Sequence, residues 1–367
     1  ERFITEKEAE SGQFRDIKNL KEKNYFFKMS KYQDQLIDHI QSNPKFIQPE
    51  HRKNEILGFL RKPLNDLCIS RPKSRLAWGI ELPFDGEYVT YVWFDALINY
   101  LTAAGFNQSI ENFKKWWPAS YHLIGKDILT THAVYWPTML FSAGVSLPLS
   151  IFAHGWWLTG ESKMSKSLGN VINPMDLIKD YGVDPVRYYL MREMVLGHDS
   201  SFTIESFIQR YNSDLANDFG NLLSRVTTLI KKNYDGLIPE PGDLGDLDIG
   251  IKKKGEALSK TVHRYVDDMR LNDAIEEIMQ FIRGVNKYME ENAPWKMVKE
   301  DKDGAGRILY TAGEALRLGA VLLSPIMPNR TKTLLDALNV KEKNFSWGTL
   351  KAGTRIKSHE PLFPRIK

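Results

Sequence analysis

Apolar residues recur along this chain with two different periods. Between residues 61 and 160, short apolar runs of strand length alternate with apolar helical segments. The runs at 87–93, 121–125 and 150–157 predict strands, and those at 96–104 and 128–142 predict helices between them. That alternation suits parallel strands joined by helical crossovers, half of a doubly wound α/β domain. In such sheets ligands collect beyond the carboxyl ends of the strands. The residues due there are Trp93-Phe94-Asp95, Gly125-Lys126-Asp127 and His154-Gly155.

From residue 205 to about 340 the period is helical throughout. Phe207, Tyr211, Leu215, Phe219, Leu222, Val226 and Leu229 form one stripe. Ile275, Ile278, Phe281, Ile282, Val285 and Met289 form a second, with Asp273 and Glu276 as its start signal. A third covers 308–327, and a loop rich in Pro, Gly and Asp at 235–248 separates helices. Such stripes are core, so this part reads as a helix bundle. Residues 1–60 are polar and helical in pattern. Tyr25-Phe26-Phe27 is an aromatic anchor, Ser30 reads as the N-cap of a helix over 31–43, and a second helix covers 49–61. The basic tail, 351–367, holds Pro361-Leu362-Phe363-Pro364 and is expected to lie back across another domain. The fold class is therefore α/β plus all-α.

The 367 residues are 42% hydrophobic and 26% charged, enough for two or three packed domains. A net charge of +4 is mild. It permits a polyanionic partner and leaves local patches to decide. Cys68 is the only cysteine, which excludes internal disulfides and a cysteine zinc cluster within the chain. A reducing, intracellular setting is expected. The most apolar run, 139–153, is interrupted by Pro148, so neither a membrane span nor a signal peptide is read.

Three stretches carry candidate chemistry. The first is Gly160-Glu161-Ser162-Lys163-Met164-Ser165-Lys166-Ser167-Leu168-Gly169. Lysine ammoniums are compact charges suited to a polyphosphate whose charge shifts during reaction; an exposed polar turn has the same composition. Lys28-Met29-Ser30-Lys31 repeats four of the letters without a following glycine and reads as a helix start. In the second stretch Ile128, His132 and Trp136 are four apart and share a helix face. With Trp93, Ala96 and Tyr100 they outline an aromatic cavity whose polar tips are His132 and Tyr100. A thioether suits such a cavity, because sulfur packs on rings and accepts weak hydrogen bonds. Ordinary core with a satisfied histidine fits the same spacing. In the third, Asn221 and Arg225 are an i,i+4 pair, and Asn286, Pro294 and Trp295 follow on a later helix end. Donors beside a stacking face suit a single-stranded RNA loop; a surface pair and a bundle-capping tryptophan is the plainer alternative.

Taken together these stretches resemble the methionyl-tRNA synthetase family of class I aminoacyl-tRNA synthetases. The similar blocks are Tyr91-Val92-Trp93-Phe94-Asp95-Ala96-Leu97-Ile98-Asn99-Tyr100, His122-Leu123-Ile124-Gly125-Lys126-Asp127-Ile128, Ala153-His154-Gly155-Trp156, Ile69-Ser70-Arg71 and the lysine loop. Many relatives carry proline where this chain has Leu97. The resemblance implies the second half of a Rossmann-like parallel sheet followed by a helical-bundle anticodon-binding domain. Residues 1–60 become the tail of a connective insertion, 61–160 the catalytic half-domain, 161–204 a stem-contact region, 205–350 the anticodon-binding bundle and 351–367 a C-terminal tail. It implies methionine binding by Trp93, Ala96, Tyr100, Ile128, His132, Trp136 and Arg71. It implies ATP binding by Gly125, Asp127, His154, Lys163, Ser165 and Lys166, with Lys163 and Lys166 catalytic and Mg²⁺ arriving with ATP. Anticodon contacts fall to Asn221, Arg225, Pro294 and Trp295. The partners implied are L-methionine, ATP and tRNA(Met), in the cytoplasm, with no membrane; no metal ligand, zinc included, is read in this chain. The family's His-x-Gly-His element is missing from these residues, so the N-terminal half of the same enzyme is an expected partner. Another class I synthetase, for leucine, isoleucine, valine or cysteine, and a tRNA-binding module without chemistry remain as alternatives.

Overall fold

Ile151, Phe152 and Ala153 are all buried, the pattern of a strand covered on both faces. Around that strand the computed structural model builds the first of two compact units, which part between Ala153 and His154. Residues 22–160, 162–164, 171–341 and 343–367 are described. In chain order the first unit contains β1 (Phe26–Phe27), α1 (Gln33–Ser42), β2 (Ile47–Gln48), α2 (Glu50–Phe59), β3 (Leu67–Cys68), β4 (Ser70–Pro72), β5 (Glu81–Leu82) and β6 (Asp85–Thr90). It continues with α3 (Val92–Ala96), α4 (Asn99–Ala103), α5 (Ile110–Trp116), β7 (His122–Gly125) and α6 (Trp136–Ala143), and ends on β8 (Ile151–His154), whose last residue falls in the second unit.

The strands β2, β8 and β7 form one sheet in that order, with β2 parallel to β8 and Ile47 opposite Ile151. β6 does not join it. It sits in an antiparallel sheet of order β4-β6-β5, with Arg71 opposite Val89. This corrects the expectation of a parallel strand over 87–93. The neighbours β4 and β5 lie just upstream in sequence, so short loops close an antiparallel pairing that a parallel one could not use. The strand stops at Thr90 and the chain turns helical at Val92, so Trp93 stands on α3 and not at a strand end. Ser30 is also corrected. It lies in a 3₁₀ turn over Met29–Tyr32, and α1 has no side-chain cap. The Ser30 hydroxyl donates instead to Asp66 Oδ1 at 2.7 Å.

The second unit opens with a hairpin of β9 (Trp157–Thr159) and β10 (Ser162–Lys163), turning at Gly160 with φ +63°. The expected strand over 150–157 is therefore two strands, broken at Gly155. A Cβ at Gly155 would collide with the backbone of His198 and Asp199, so that close crossing requires glycine. Helices α7 (Pro174–Tyr181) and α8 (Val183–Glu193) lead to β11 (Ser200–Ser201), which pairs in parallel with β9. The bundle follows: α9 (Ile204–Arg210), α10 (Asn221–Asn233), α11 (Asp246–Asp267), α12 (Leu271–Asn292), α13 (Pro294–Met297), α14 (Lys302–Leu323) and α15 (Pro328–Ala337). The predicted stripes are buried, except that Leu229, beside buried Ile230, and Ile326 are only half-buried. A π-helical segment over Tyr211–Gly220 explains the repeated spacing of four in the first stripe, because its wider turn holds every fourth residue on one face. Asp273 does not begin α12; it lies in the first turn, bonded to Arg270 at 2.6 Å.

Helix α14 is the centre of the bundle, buried on nearly all sides. It carries a fully buried pair, Arg317 to Glu314 at 2.8 Å. Glu314 accepts the amides of Gly348, Thr349 and Leu350, and Arg317 donates to the carbonyls of Asn344 and Ser346. Such saturation is what lets a charge pair stay in a core. The tail follows this anchored segment. It lies on the bundle it succeeds, not across another domain: Leu362 and Phe363 enter the helical core.

Candidate functional site

In the first unit the candidate site grows from an irregular helix. A 3₁₀ turn at Lys126–Ile128 leads into a π segment at Thr131–Tyr135, then α6. Widened turns of this kind recur at functional sites. In this one the His132 Nδ1 lies 3.0 Å from the carbonyl of Ile128. A carbonyl only accepts, so Nδ1 carries the proton. Burial holds the His132 pKa below its ordinary value, so the ring is neutral and Nε2 is an acceptor. Tyr100 Oη, 2.8 Å away, therefore donates to it. The result is a directed chain from Tyr100 through His132 to the Ile128 carbonyl.

A second buried histidine, His122, packs against Tyr100, its ring 6.3 Å from that of His132. The indole Nε1 of Trp136 donates to His122 Nε2 at 3.1 Å. The His122 ring lies 4.3 Å from that of Tyr100, tilted by 36°. Burial, helped by nearby His132, pushes the His122 pKa down to about 4. Trp117 closes the group, 6.2 Å from Trp136 in an edge-on arrangement. Tyr100 and His122 also line a cavity of about 380 Å³ with Trp116, Trp117 and Tyr121. The sequence reading missed His122 as a member of this group. The signal was present: Ile124 is core, and His122, two residues before it on β7, has the same facing, whereas Leu123 is 56% exposed.

Tyr100, His132 and Trp136 thus come together as expected, and Ile128 joins them through its carbonyl. Trp93 and Ala96 are half-buried on α3, just before α4, which carries Tyr100. Arg71 holds its guanidinium 4.4 Å over the ring of Tyr91, at the start of α3, and donates to Cys68 Sγ and the Ser70 carbonyl. Gly125 ends β7 half-buried with an extended backbone, and Asp127 is exposed in the 3₁₀ turn.

The other predicted residues belong to the second unit. His154 gives its Nδ1 proton to the Gly155 carbonyl at 2.7 Å. Lys163 ends the hairpin, its backbone opposite Leu158. Ser165 and Lys166 lie outside the described residues. Arg225, on α10, places its guanidinium 5.0 Å from the Trp295 ring centroid and reaches Glu290 at 2.8 Å. Trp295 is half-buried under that arginine, not free-standing. Its position is set by Ala293, left-handed at φ 41°, which ends α12 and lets Pro294 begin α13. Pro294 is buried and Asn221 exposed. Asn286 donates to the Asp218 carbonyl at 3.0 Å, a bond within the fold. Among the described residues no group of His, Cys, Asp and Glu could hold a metal ion, and no helix is long and apolar enough to cross a membrane.

Two family descriptions match this chain: tRNA synthetases class I (M) over residues 7–227, and the anticodon binding domain of methionyl tRNA ligase over 238–367. A methionine–tRNA ligase of Caldanaerobacter subterraneus subsp. tengcongensis is 43% identical across the whole chain, which spans 59% of that relative. One from Streptomyces coelicolor is 42% identical over 96% of the chain and 68% of the relative. A solved structure of Mycobacterium tuberculosis methionyl-tRNA synthetase in complex with methionyl-adenylate superposes with a TM-score of 0.90 at 40% identity, over 94% of this chain and 69% of that one. The chain thus spans less than two thirds of the length of the first of these relatives.

Proposed function

The chain belongs to the methionyl-tRNA synthetase family of class I tRNA synthetases, and from that premise we propose that the protein containing it activates L-methionine with ATP and transfers it to tRNA(Met). The observation that carries the reading is the Tyr100–His132–Ile128 chain. Its polar groups are neutral, so it suits an uncharged, weakly accepting side chain. The Tyr100 hydroxyl can turn from His132 to a thioether sulfur. A branched aliphatic side chain offers no acceptor to repay that lost bond, which discriminates against leucine, isoleucine and valine. Trp93, Ala96, Ile128 and Trp136 would supply the apolar walls, and Arg71 would lie beside the substrate.

In the first step a methionine carboxylate oxygen bonds to the α-phosphorus of ATP. The bond from that phosphorus to its bridging oxygen breaks, and pyrophosphate leaves. Lys163 and Lys166 would stabilise charge on the leaving group, with Ser165, Gly125, Asp127 and His154 contributing to ATP binding. Mg²⁺ enters with the ATP phosphates as part of the substrate. In the second step a hydroxyl of the terminal tRNA ribose attacks the methionyl carbonyl and AMP leaves. We read 1–60 as a connective-insertion tail, 61–160 as catalytic, 161–204 as stem-contacting, 205–350 as anticodon-binding and 351–367 as a tail. Asn221, Arg225, Pro294 and Trp295 would take the CAU loop. The activity is that of the whole protein, with its His-x-Gly-His element, acting in the cytoplasm.

Amino-acid-dependent pyrophosphate exchange by the full-length protein tests this. Methionine should far exceed leucine, isoleucine, valine and cysteine, and Lys166→Ala should cut exchange by about a hundredfold with tRNA affinity kept. Preference for another amino acid would refute the pocket; tRNA binding with no exchange would leave only a binding module.

A further inference from the structure

The second unit contains a groove that the reading above does not use. It has a volume of about 640 Å³ and lies between α10 and the segment 355–361. Lys231, Arg355 and Lys357 line it, with the hydroxyls of Ser224, Thr228 and Ser358. One carboxylate residue, Asp235, is also in the lining. The lining is therefore net positive and rich in donors, the composition of a phosphate-contacting surface.

Its walls are held in place. The segment is zipped to the turn after α10: Ile238 N–H donates to the Thr354 carbonyl and Ile356 N–H to the Gly236 carbonyl, each at 2.9 Å. Arg355 Nη1 donates to the Asp235 carbonyl at 2.6 Å; a guanidinium carries further donors. His359 Nε2 lies 3.0 Å from the hydroxyl of buried Thr227 on α10.

Helix α10 carries both Arg225 and one wall of the groove. At about 3.6 residues per turn, Lys232, Asn221, Thr228, Ser224 and Lys231 follow one another around α10 from Arg225, on one side. All are exposed except half-buried Ser224, while Leu222, Leu223, Val226 and Ile230 face the core. From Arg225 to Lys231 the helix rises about 9 Å, the span of two to three nucleotides at a stacked rise of ~3.4 Å. We propose that this groove binds the phosphate backbone of the RNA strand whose loop bases meet Arg225 and Trp295. The proposal rests on the anticodon-binding role given to those two residues, and adds a sequence-independent backbone contact made by Lys231, Arg355 and Lys357.

The test uses the full-length protein and a short RNA hairpin with CAU in its loop, plus the same hairpin with the loop scrambled. Affinities are measured across a salt series. The variant Lys231→Gln/Lys357→Gln leaves the Arg355 bond to Asp235 intact; Lys231→Arg/Lys357→Arg restores charge. We expect the Gln pair to weaken both hairpins by the same factor, about tenfold, to flatten the salt slope by about 0.7 per removed contact, and the Arg pair to recover both. Unchanged affinity and slope in the Gln pair, beside a Trp295→Ala variant that loses CAU preference, would overturn the groove and leave the anticodon role standing. A loss confined to the CAU hairpin would overturn it as well, since a backbone contact is blind to sequence. Failure of the unmodified protein to bind the CAU hairpin would overturn the anticodon role and the groove together.

Discussion

The polar groups around Tyr100 and those around Trp295 are held in opposite ways. Tyr100, His132 and His122 are uncharged, and their hydrogen bonds run to one another, to Trp136 or to a backbone carbonyl. Arg225 is charged and is divided between the ring of Trp295 and Glu290, a carboxylate 62% exposed. Burial explains the contrast. Inside the first unit an ionised group would cost several kcal/mol, so the site is built from neutral donors and acceptors in fixed tautomers. On α10 and α12 solvent screens the charges, so partners exchange at little cost. The proposed function asks the first kind of site to select a small uncharged side chain and the second to receive a large polyanion with moving bases.

Removal of the central acceptor should break the comparison most strongly. His132→Ala leaves the Tyr100 hydroxyl without its buried partner and deletes the bond to the Ile128 carbonyl. A fall in kcat/KM for methionine of about a hundredfold or more, ~3 kcal/mol, is expected. tRNA affinity should not move. An equal loss in tRNA binding would mean that the two regions are not separate in function. The reciprocal change, Trp295→Ala, removes a stacking face worth about 1–3 kcal/mol per base. Filter binding should show a ten- to hundredfold loss of tRNA affinity, on the order of one to two decades, with methionine-dependent pyrophosphate exchange unaltered.

A smaller effect tests whether the first region is neutral, as argued. His122 has its pKa depressed from 6.5 to about 4 by burial and by His132. Its unfolded form binds a proton that its folded form refuses, so its contribution to stability is complete above 6.5 and is lost as pH falls toward 4. Between pH 6.5 and 5 the loss is up to about 2 kcal/mol. His132 and His39 are lowered too, so His122→Gln should remove only part of the slope. Ring-proton NMR reads the group directly. A His122 midpoint near 6.5 would show that burial does not hold the ring neutral.

These tests divide along what the sequence made legible. The bundle stripes were readable because helical core repeats locally: Ile275, Ile278, Ile282 and Val285 are buried as their spacing requires. Ile128, His132 and Trp136 were readable for the same reason, even through a π segment. The pairing of β6 was not, since strand partners are chosen across the chain and alternation does not name them. For His122 hydropathy masked the alternation that pairs it with Ile124: on β7 the histidine is 5% exposed and the neighbouring leucine 56%. What reverses the usual preference is a distant indole, Trp136, and a distant ring, Tyr100, neither of which lies in the local pattern. The resemblance supplied roles for Arg225 and Trp295, but not the arrangement of one over the other.

That arrangement yields the smallest expected effect. Glu290 holds Arg225 at 2.8 Å and is itself largely exposed, so the pair is worth about 0.2–1 kcal/mol. An incoming nucleotide must compete with it for the guanidinium. Glu290→Gln weakens the competitor while keeping its shape, and leaves the cation over the Trp295 ring, which favours a desolvated charge. tRNA affinity should therefore rise by about two- to threefold at low salt, and the gain should shrink as salt screens the original pair. Arg225→Gln should erase the gain in the double variant, because no cation is left to release. A fall in affinity on Glu290→Gln would mean that the carboxylate orients Arg225 for the RNA and does not compete with it. The charged region would then resemble the neutral one, with its groups fixed by partners before any ligand arrives.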